Sequence, residues 1–188
     1  ERAKAEQELK ETGKIVVPSR SSYFGIVDLA GFKKDRFYLY QARWNKDLPM
    51  AHILPHWNWE ERVGKVTPIH VYTSGDSAEL FLNGKSLGKK TIGEYEYRLR
   101  WDSVVYEPGE VKVIAYKNGK EWATETIKTT GKPAKIGLEA DRQSMDADGY
   151  DLIFVTANIE DKDGLIAPRS KNRIDFEVKG PARIVATD

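Results

Sequence analysis

Residues 69–84, IHVYTSGDSAELFLNG, decide the fold. Ile69, Val71 and Thr73 alternate along one face. After Gly75 a second run, Ala78 to Leu82, ends at Asn83-Gly84. A period of two is the mark of a strand with one buried face. Asn-Gly next to such a run marks a tight hairpin, because both turn residues take positive φ at little cost. The signals repeat downstream. Tyr95, Tyr97, Leu99 and Trp101 alternate; VKVIAY (111–116) runs to Asn118-Gly119; Trp122, Thr124 and Thr126 continue beyond. Strands at this spacing, with two hairpin turns, predict an antiparallel β-sandwich over residues 50–131.

On the C-terminal side, Gly131-Lys132-Pro133 reads as a linker. Strands are expected at 135–140, 151–159, 173–179 and 183–187, with turns at Asp148-Gly149 and Asp163-Gly164. An immunoglobulin-type sandwich needs about seven strands. Residues 132–188 are therefore expected to be a second immunoglobulin-like β-domain, either cut short or completing its sheet on the middle domain. On the N-terminal side, residues 1–12 read as a short charged helix stopped by Gly13, and 14–17 as an extended arm ending at Pro18. A second helical period covers 33–44, where Phe37, Tyr40 and Trp44 recur on one face with Leu39 beside them. One helix cannot enclose that aromatic stripe, so it must face another domain. Residues 1–49 form the first of the three expected segments. The chain starts at Glu1 and stops directly after the apolar Ile184 and Val185, so a piece of a longer protein is expected.

The 188 residues hold no Cys, which excludes disulfides, zinc–thiolate sites and thiol chemistry. Thirty basic and 29 acidic side chains give a net charge of +1. No segment is a polybasic tail or an acidic block, which argues against a nucleic-acid partner. No apolar run approaches the roughly 20 residues that span a bilayer. A hydrophobic content of 40% with 31% charged residues describes an ordered chain, not a disordered one.

Local chemistry is sparse. His52 and His56 have the spacing of a zinc-protease helix, but Pro55 lies between them and no Glu follows His52. The Asp146/Asp148/Asp151 and Asp161/Asp163 clusters resemble calcium loops only faintly; they lack the distal Glu and serve equally as turn formers. Phosphate-loop, dinucleotide and nucleophile-elbow motifs are absent. No metal site and no cofactor are expected. The aromatic run His56-Trp57-Asn58-Trp59 is the most distinctive feature. In a strand, Trp57 and Trp59 would share one face and could stack on a sugar ring, with His56 and Asn58 on the other. The competing reading is that these rings fill a domain interface.

Several strings resemble glycoside hydrolase family 2, in particular its bacterial β-galactosidases. SRSSYFGIVD (19–28), Gly31 to Asp35 and the helix to Trp44 are similar to the last part of that family's catalytic barrel. LPHWNW (54–59) resembles the segment leaving the barrel, and 71–74 with 78–88 the following β-sandwich. Residues 135–188 are similar to a further immunoglobulin-like domain. The resemblance implies a retaining β-glycosidase with a Glu acid/base and a Glu nucleophile on barrel strands upstream of these residues. The family's acid/base Glu follows an Asn, and no Asn-Glu pair occurs here. Its Trp-x-Gly-x-Asp-Tyr motif is absent too. No catalytic residue is therefore assigned.

The expectation is a mainly β chain of tandem antiparallel immunoglobulin-like sandwiches, preceded by a helical remnant of a (β/α)8 barrel. It would serve as a non-catalytic accessory region of a β-galactosidase-like enzyme, inactive alone, with His56, Trp57, Asn58 and Trp59 as candidate substrate-binding residues. Its expected partners are the barrel of the same polypeptide, carbohydrate, and further copies in an oligomer, with neither nucleic acid nor a membrane. Periplasmic or secreted localisation follows from the resemblance alone. The alternatives are a carbohydrate-binding module with a Trp platform and a purely structural immunoglobulin-like array.

Overall fold

The computed structural model describes residues 25–187. The expected helix at 1–12, the arm at 14–17 and the string at 19–24 lie outside the described residues. Two compact units divide the chain between Phe37 and Tyr38. Both expected domain boundaries, at 49/50 and 131/132, fall inside the second unit.

In the first unit, Val27 bridges Lys33 around a turn. Asp28 closes it: its Oδ1 accepts the Phe32 N–H at 2.8 Å, and Gly31 takes a φ of 89°. The expected helix at 33–44 is present as α1, Asp35–Trp44. From Tyr38 onward, its buried side is Tyr38, Leu39 and Ala42, which pack with Met50, Leu54 and Tyr72. The expected stripe is largely the other side: Trp44 is 77% exposed, Tyr40 is also exposed, and their rings lie 4.7 Å apart.

The sandwich is built from seven strands: β1 (Ala51–Leu54), β2 (Ile69–Thr73), β3 (Ser77–Leu82), β4 (Lys85–Thr91), β5 (Leu99–Trp101), β6 (Glu110–Lys117) and β7 (Lys120–Lys128). They form two antiparallel sheets, ordered β1-β2-β5 and β4-β3-β6-β7. Ile53, Ile69, Val71, Leu99 and Trp101 from the first meet Ala78, Leu80, Leu82, Val111, Val113 and Ala115 from the second in one core. This is the alternation read from the sequence, now with both inner faces identified. Both Asn-Gly turns form two-residue hairpins, with φ of 50° and 79° at Asn83-Gly84 and 52° and 76° at Asn118-Gly119.

One expectation for the sandwich needs correction, and one strand went unread. The strand expected at 95–101 shortens to β5, leaving Tyr95 90% exposed in the preceding loop. The hairpin partner of β3 is β4, whose Lys85, Lys89 and Lys90 gave no alternating signal. Charged edge strands of this kind resist pairing with other chains.

In the C-terminal piece, β8 (Lys135–Ala140) pairs antiparallel with β9 (Val155–Glu160). The strand expected at 151–159 thus starts four residues later. Residues 173–179 and 183–187, expected as strands, are irregular. Their alternating side chains, including Phe176 and Val178, find no adjoining strand among the described residues, and a strand needs a ladder partner as well as a pattern.

Candidate functional site

Leaving β1, the chain crosses a cis Leu54–Pro55 peptide and runs through His56–Trp59 into a single 3₁₀ turn, Glu60–Arg62. Residues 56–59 are not a strand, so the alternation expected of them fails. The chain folds back instead: the Trp59 indole N–H donates to the His56 carbonyl at 2.8 Å, and the Asn58 N–H donates to His56 Nδ1 at 3.3 Å. The His56 ring stacks on Trp59 at 4.4 Å and 16°.

The two tryptophans therefore part company. Trp57 is fully buried in the sandwich core. Its indole N–H donates to the Glu107 carbonyl at 2.9 Å, and its ring lies 4.7 Å from Tyr106. The Trp57 carbonyl accepts the Thr129 hydroxyl at 2.6 Å. Without a free ring face, Trp57 cannot join Trp59 in a sugar platform. Trp59 is half-buried, and its backbone N–H donates to the Tyr106 hydroxyl at 3.1 Å. The Arg169 guanidinium stands 5.3 Å from the Trp59 ring centroid, a cation–π arrangement. Arg169 also pairs with the Glu61 carboxylate at 2.6 Å. That hydrogen bond is the main reason the Glu61 carboxyl titrates below its ordinary value.

Asn58 completes the arrangement. Its Oδ1 accepts both the backbone N–H and the hydroxyl of Thr130, at 2.8 and 2.9 Å. One residue on, the Gly131 N–H donates to Asp161, a carboxylate only 2% exposed that also accepts the N–H groups of Asp163 and Leu165 at 2.9 Å each. These N–H donors, Gly131 first and Leu165 next, lower the Asp161 pKa. Residues 56–61 thus link three things: the sandwich core through Trp57, the linker through Asn58, and the C-terminal piece through Trp59 and Glu61. Of the candidate residues, the structure brings His56 and Trp59 together, seats Trp57 among core residues, and gives Asn58 to the linker. Tyr106, Thr129, Thr130 and Arg169 escaped the sequence reading, and Asp161 entered it only as part of a turn. Tyr106, Thr129, Thr130 and Arg169 reach residues 56–61 across roughly 50 to 110 positions, whereas Asp161 reaches the linker at Gly131, and only its Asp161-Lys-Asp163-Gly164 turn carried a local signal.

The other candidates resolve in the same way. His52 sits in β1 under the Tyr38 ring at 3.9 Å, with Nδ1 3.4 Å from Glu125 of β7. Asp148 accepts the N–H groups of Tyr150 and Asp151, while Asp151 accepts that of Asp146 and pairs with Arg142. Among the described residues, no group of three or more acids and histidines is placed to hold a metal.

Two family models match the chain. One, a domain of unknown function (DUF4982), covers residues 64–123, and the other, glycoside hydrolase family 2 C-terminal domain 5, covers 136–188. A β-galactosidase of Bacteroides ovatus is 46% identical over 171 residues, which are 91% of this chain and 20% of that protein. A putative β-glucuronidase of Formosa agariphila is 36% identical over 169 residues, 87% of this chain and 16% of that protein. The crystal structure of a β-glycosidase from Bacteroides vulgatus superposes with a TM-score of 0.75 at 36% identity, covering 83% of this chain and 20% of that one. The chain therefore spans a fifth or less of the length of these relatives.

Proposed function

The chain belongs to glycoside hydrolase family 2, as part of its C-terminal region, and on that premise we propose that it is a non-catalytic accessory region supporting the barrel and substrate cleft of a retaining β-glycosidase. One observation carries the reading. From Tyr38 onward α1 is fixed to the sandwich by one side, yet it holds Tyr40 and Trp44 out to solvent on the other. Two adjoining aromatic rings, tilted 49° to each other on an anchored helix, suit a docking surface better than a solvated one. The proposed occupant is the catalytic barrel of the same polypeptide.

The anchoring is extensive. The Ser74 hydroxyl donates to the Leu48 carbonyl at 2.6 Å, the Thr73 hydroxyl donates to the Met50 carbonyl at 2.7 Å, and Lys117 reaches the Lys46 carbonyl. The acids whose partners are described above support the non-catalytic role. A retaining glycosidase holds two carboxyl groups about 5–5.5 Å apart across a sugar. Asp161, Asp148 and Asp151 instead spend their oxygens on backbone N–H groups, and Glu61 spends its on Arg169.

The relatives include both β-galactosidases and β-glucuronidases. A β-galactoside is the substrate proposed for the parent enzyme, given the 46% identity to the Bacteroides ovatus protein. Periplasmic or secreted localisation is part of the same proposal. The test is direct. The isolated chain should not turn over chromogenic β-galactosides or β-glucuronides. In the full-length enzyme, Tyr40→Ser with Trp44→Ser should lower thermal stability and activity together. Turnover by the isolated chain that one Glu or Asp substitution abolishes would overturn the proposal.

A further inference from the structure

The two Asn-Gly turns are chemically alike, and their backbones nearly coincide in conformation. Asn83 and Asn118 have φ of 50° and 52°, the following glycines 79° and 76°, and all four residues are exposed. Their side-chain amides differ. Asn83 Oδ1 accepts the Glu110 N–H at 2.8 Å, and its Nδ2 donates to the Pro108 carbonyl at 3.2 Å. Gly109 makes room for this clamp: a Cβ there would stand 1.9 Å from Asn83 Oδ1. The Asn118 amide makes no hydrogen bond among the described residues, although its backbone N–H donates to Asp76 Oδ2 at 2.7 Å. A side chain added at Gly119 would meet nothing within 4 Å.

We propose that Asn118-Gly119 is a site of spontaneous deamidation and that the clamp on Asn83 protects the otherwise equivalent Asn83-Gly84. In the reaction, the Gly119 backbone nitrogen gives its proton to solvent base and attacks Asn118 Cγ. The new Cγ–N bond closes a succinimide as the Cγ–Nδ2 bond breaks, and nitrogen leaves as ammonia. Water then opens either carbonyl, yielding aspartate or isoaspartate. The net change is one water in and one ammonia out, with no oxidant or reductant. The carboxamide must swing toward the glycine nitrogen to react. Asn118 does this freely, whereas Asn83 must first break its two hydrogen bonds to the Glu110 N–H and the Pro108 carbonyl. Glycine matters in both cases because it places no side chain in the path of attack. The other asparagines, followed by Lys46, Trp59, Ile159 and Arg173, lack that opening.

The test compares each asparagine with itself. The 188-residue chain is held in mildly alkaline buffer, once folded and once in concentrated urea, and conversion at each site is followed by peptide mass spectrometry and isoaspartate labelling. The folded-to-unfolded rate ratio is expected to be several-fold larger at Asn118 than at Asn83. Gly109→Ala, which expels the Asn83 amide from its clamp, should raise the Asn83 ratio. Gly119→Ala should suppress conversion at Asn118 alone. Equal ratios at the two sites, a larger ratio at Asn83, or no conversion at Asn118 in the folded chain would each overturn the proposal.

Discussion

Leu80 in β3 and Leu138 in β8 are both strand leucines on an apolar face, yet Leu80 has no solvent exposure and Leu138 keeps 68%. The sandwich and the C-terminal hairpin differ throughout in this way. In the hairpin, cross-strand partners Ile136–Ile159, Leu138–Ala157 and Ala140–Val155 share one face. Ile136 and Val155 remain about half exposed on it. The sandwich closes because its second sheet supplies the opposing apolar layer. Among the described residues the hairpin has the pattern of a sandwich sheet without that layer, and a two-stranded sheet alone is marginal in water. What holds the C-terminal piece is mostly polar: Asp161 on the Gly131 N–H, and Arg169 on Glu61 and Trp59. One region is held by volume and the other by specific contacts, so they should fail differently.

Trp57→Ala should produce the largest effect. It empties a fully buried site between the sheets and strips the Glu107 carbonyl of its donor, so a loss of about 3–5 kcal/mol is expected in urea unfolding. A loss below about 1 kcal/mol would break the contrast, because the ring would then not be part of a closed core. Asn58→Ala comes next. It leaves the Thr130 N–H and hydroxyl without their acceptor, with an expected cost of about 1–3 kcal/mol. Hydrogen exchange should show faster exchange at Thr130 and Gly131 while β3 and β6 stay protected.

Asp161 sharpens the comparison through pH. Its folded pKa is lowered, so its contribution is complete above the ordinary carboxylate range and is lost as pH falls through the folded value. Residues near Gly131 and Leu165 should loosen only in strong acid, with no change between about pH 5 and 8. Asp161→Ala should reproduce that loosening at neutral pH, read as faster amide exchange at Gly131, Asp163 and Leu165, while the unfolding midpoint of the sandwich barely moves. Protection that persists in this variant would show that other contacts hold the linker.

How much of this was legible follows from which interactions are local. Ile69–Thr73 and Lys135–Ala140 lie where the alternation placed them, and both hairpin turns follow from Asn-Gly. These signals depend on neighbours one to four residues apart. The edge strand β4 left none, since an edge needs solubility more than burial and carries lysines instead. The 173–187 stretch misled in the opposite sense, having a strand pattern without a ladder. At residues 56–59 the residue types were conspicuous but their roles were not. Trp57 packs on Tyr106, and Asn58 reaches Thr130 seventy-two residues away. A linear string carries no mark of such pairings. The resemblance identified the family, but only the fold separates the core tryptophan from the junction tryptophan.

The smallest expected effect is the most direct test of the contrast. Leu138→Ser changes an apolar strand residue on the uncovered face of β8, and Leu80→Ala changes one on the covered face of β3. Composition and strand pattern alone would rank them alike. The structure ranks them far apart: about 2–5 kcal/mol for Leu80→Ala, since a buried leucine leaves a cavity, and within about 0.5 kcal/mol for Leu138→Ser, since solvent already reaches the site. Urea unfolding of the two variants of the 188-residue chain measures both. If Leu138→Ser proved as costly as Leu80→Ala, the hairpin face would be covered in solution, and the C-terminal piece would be held by burial as the sandwich is.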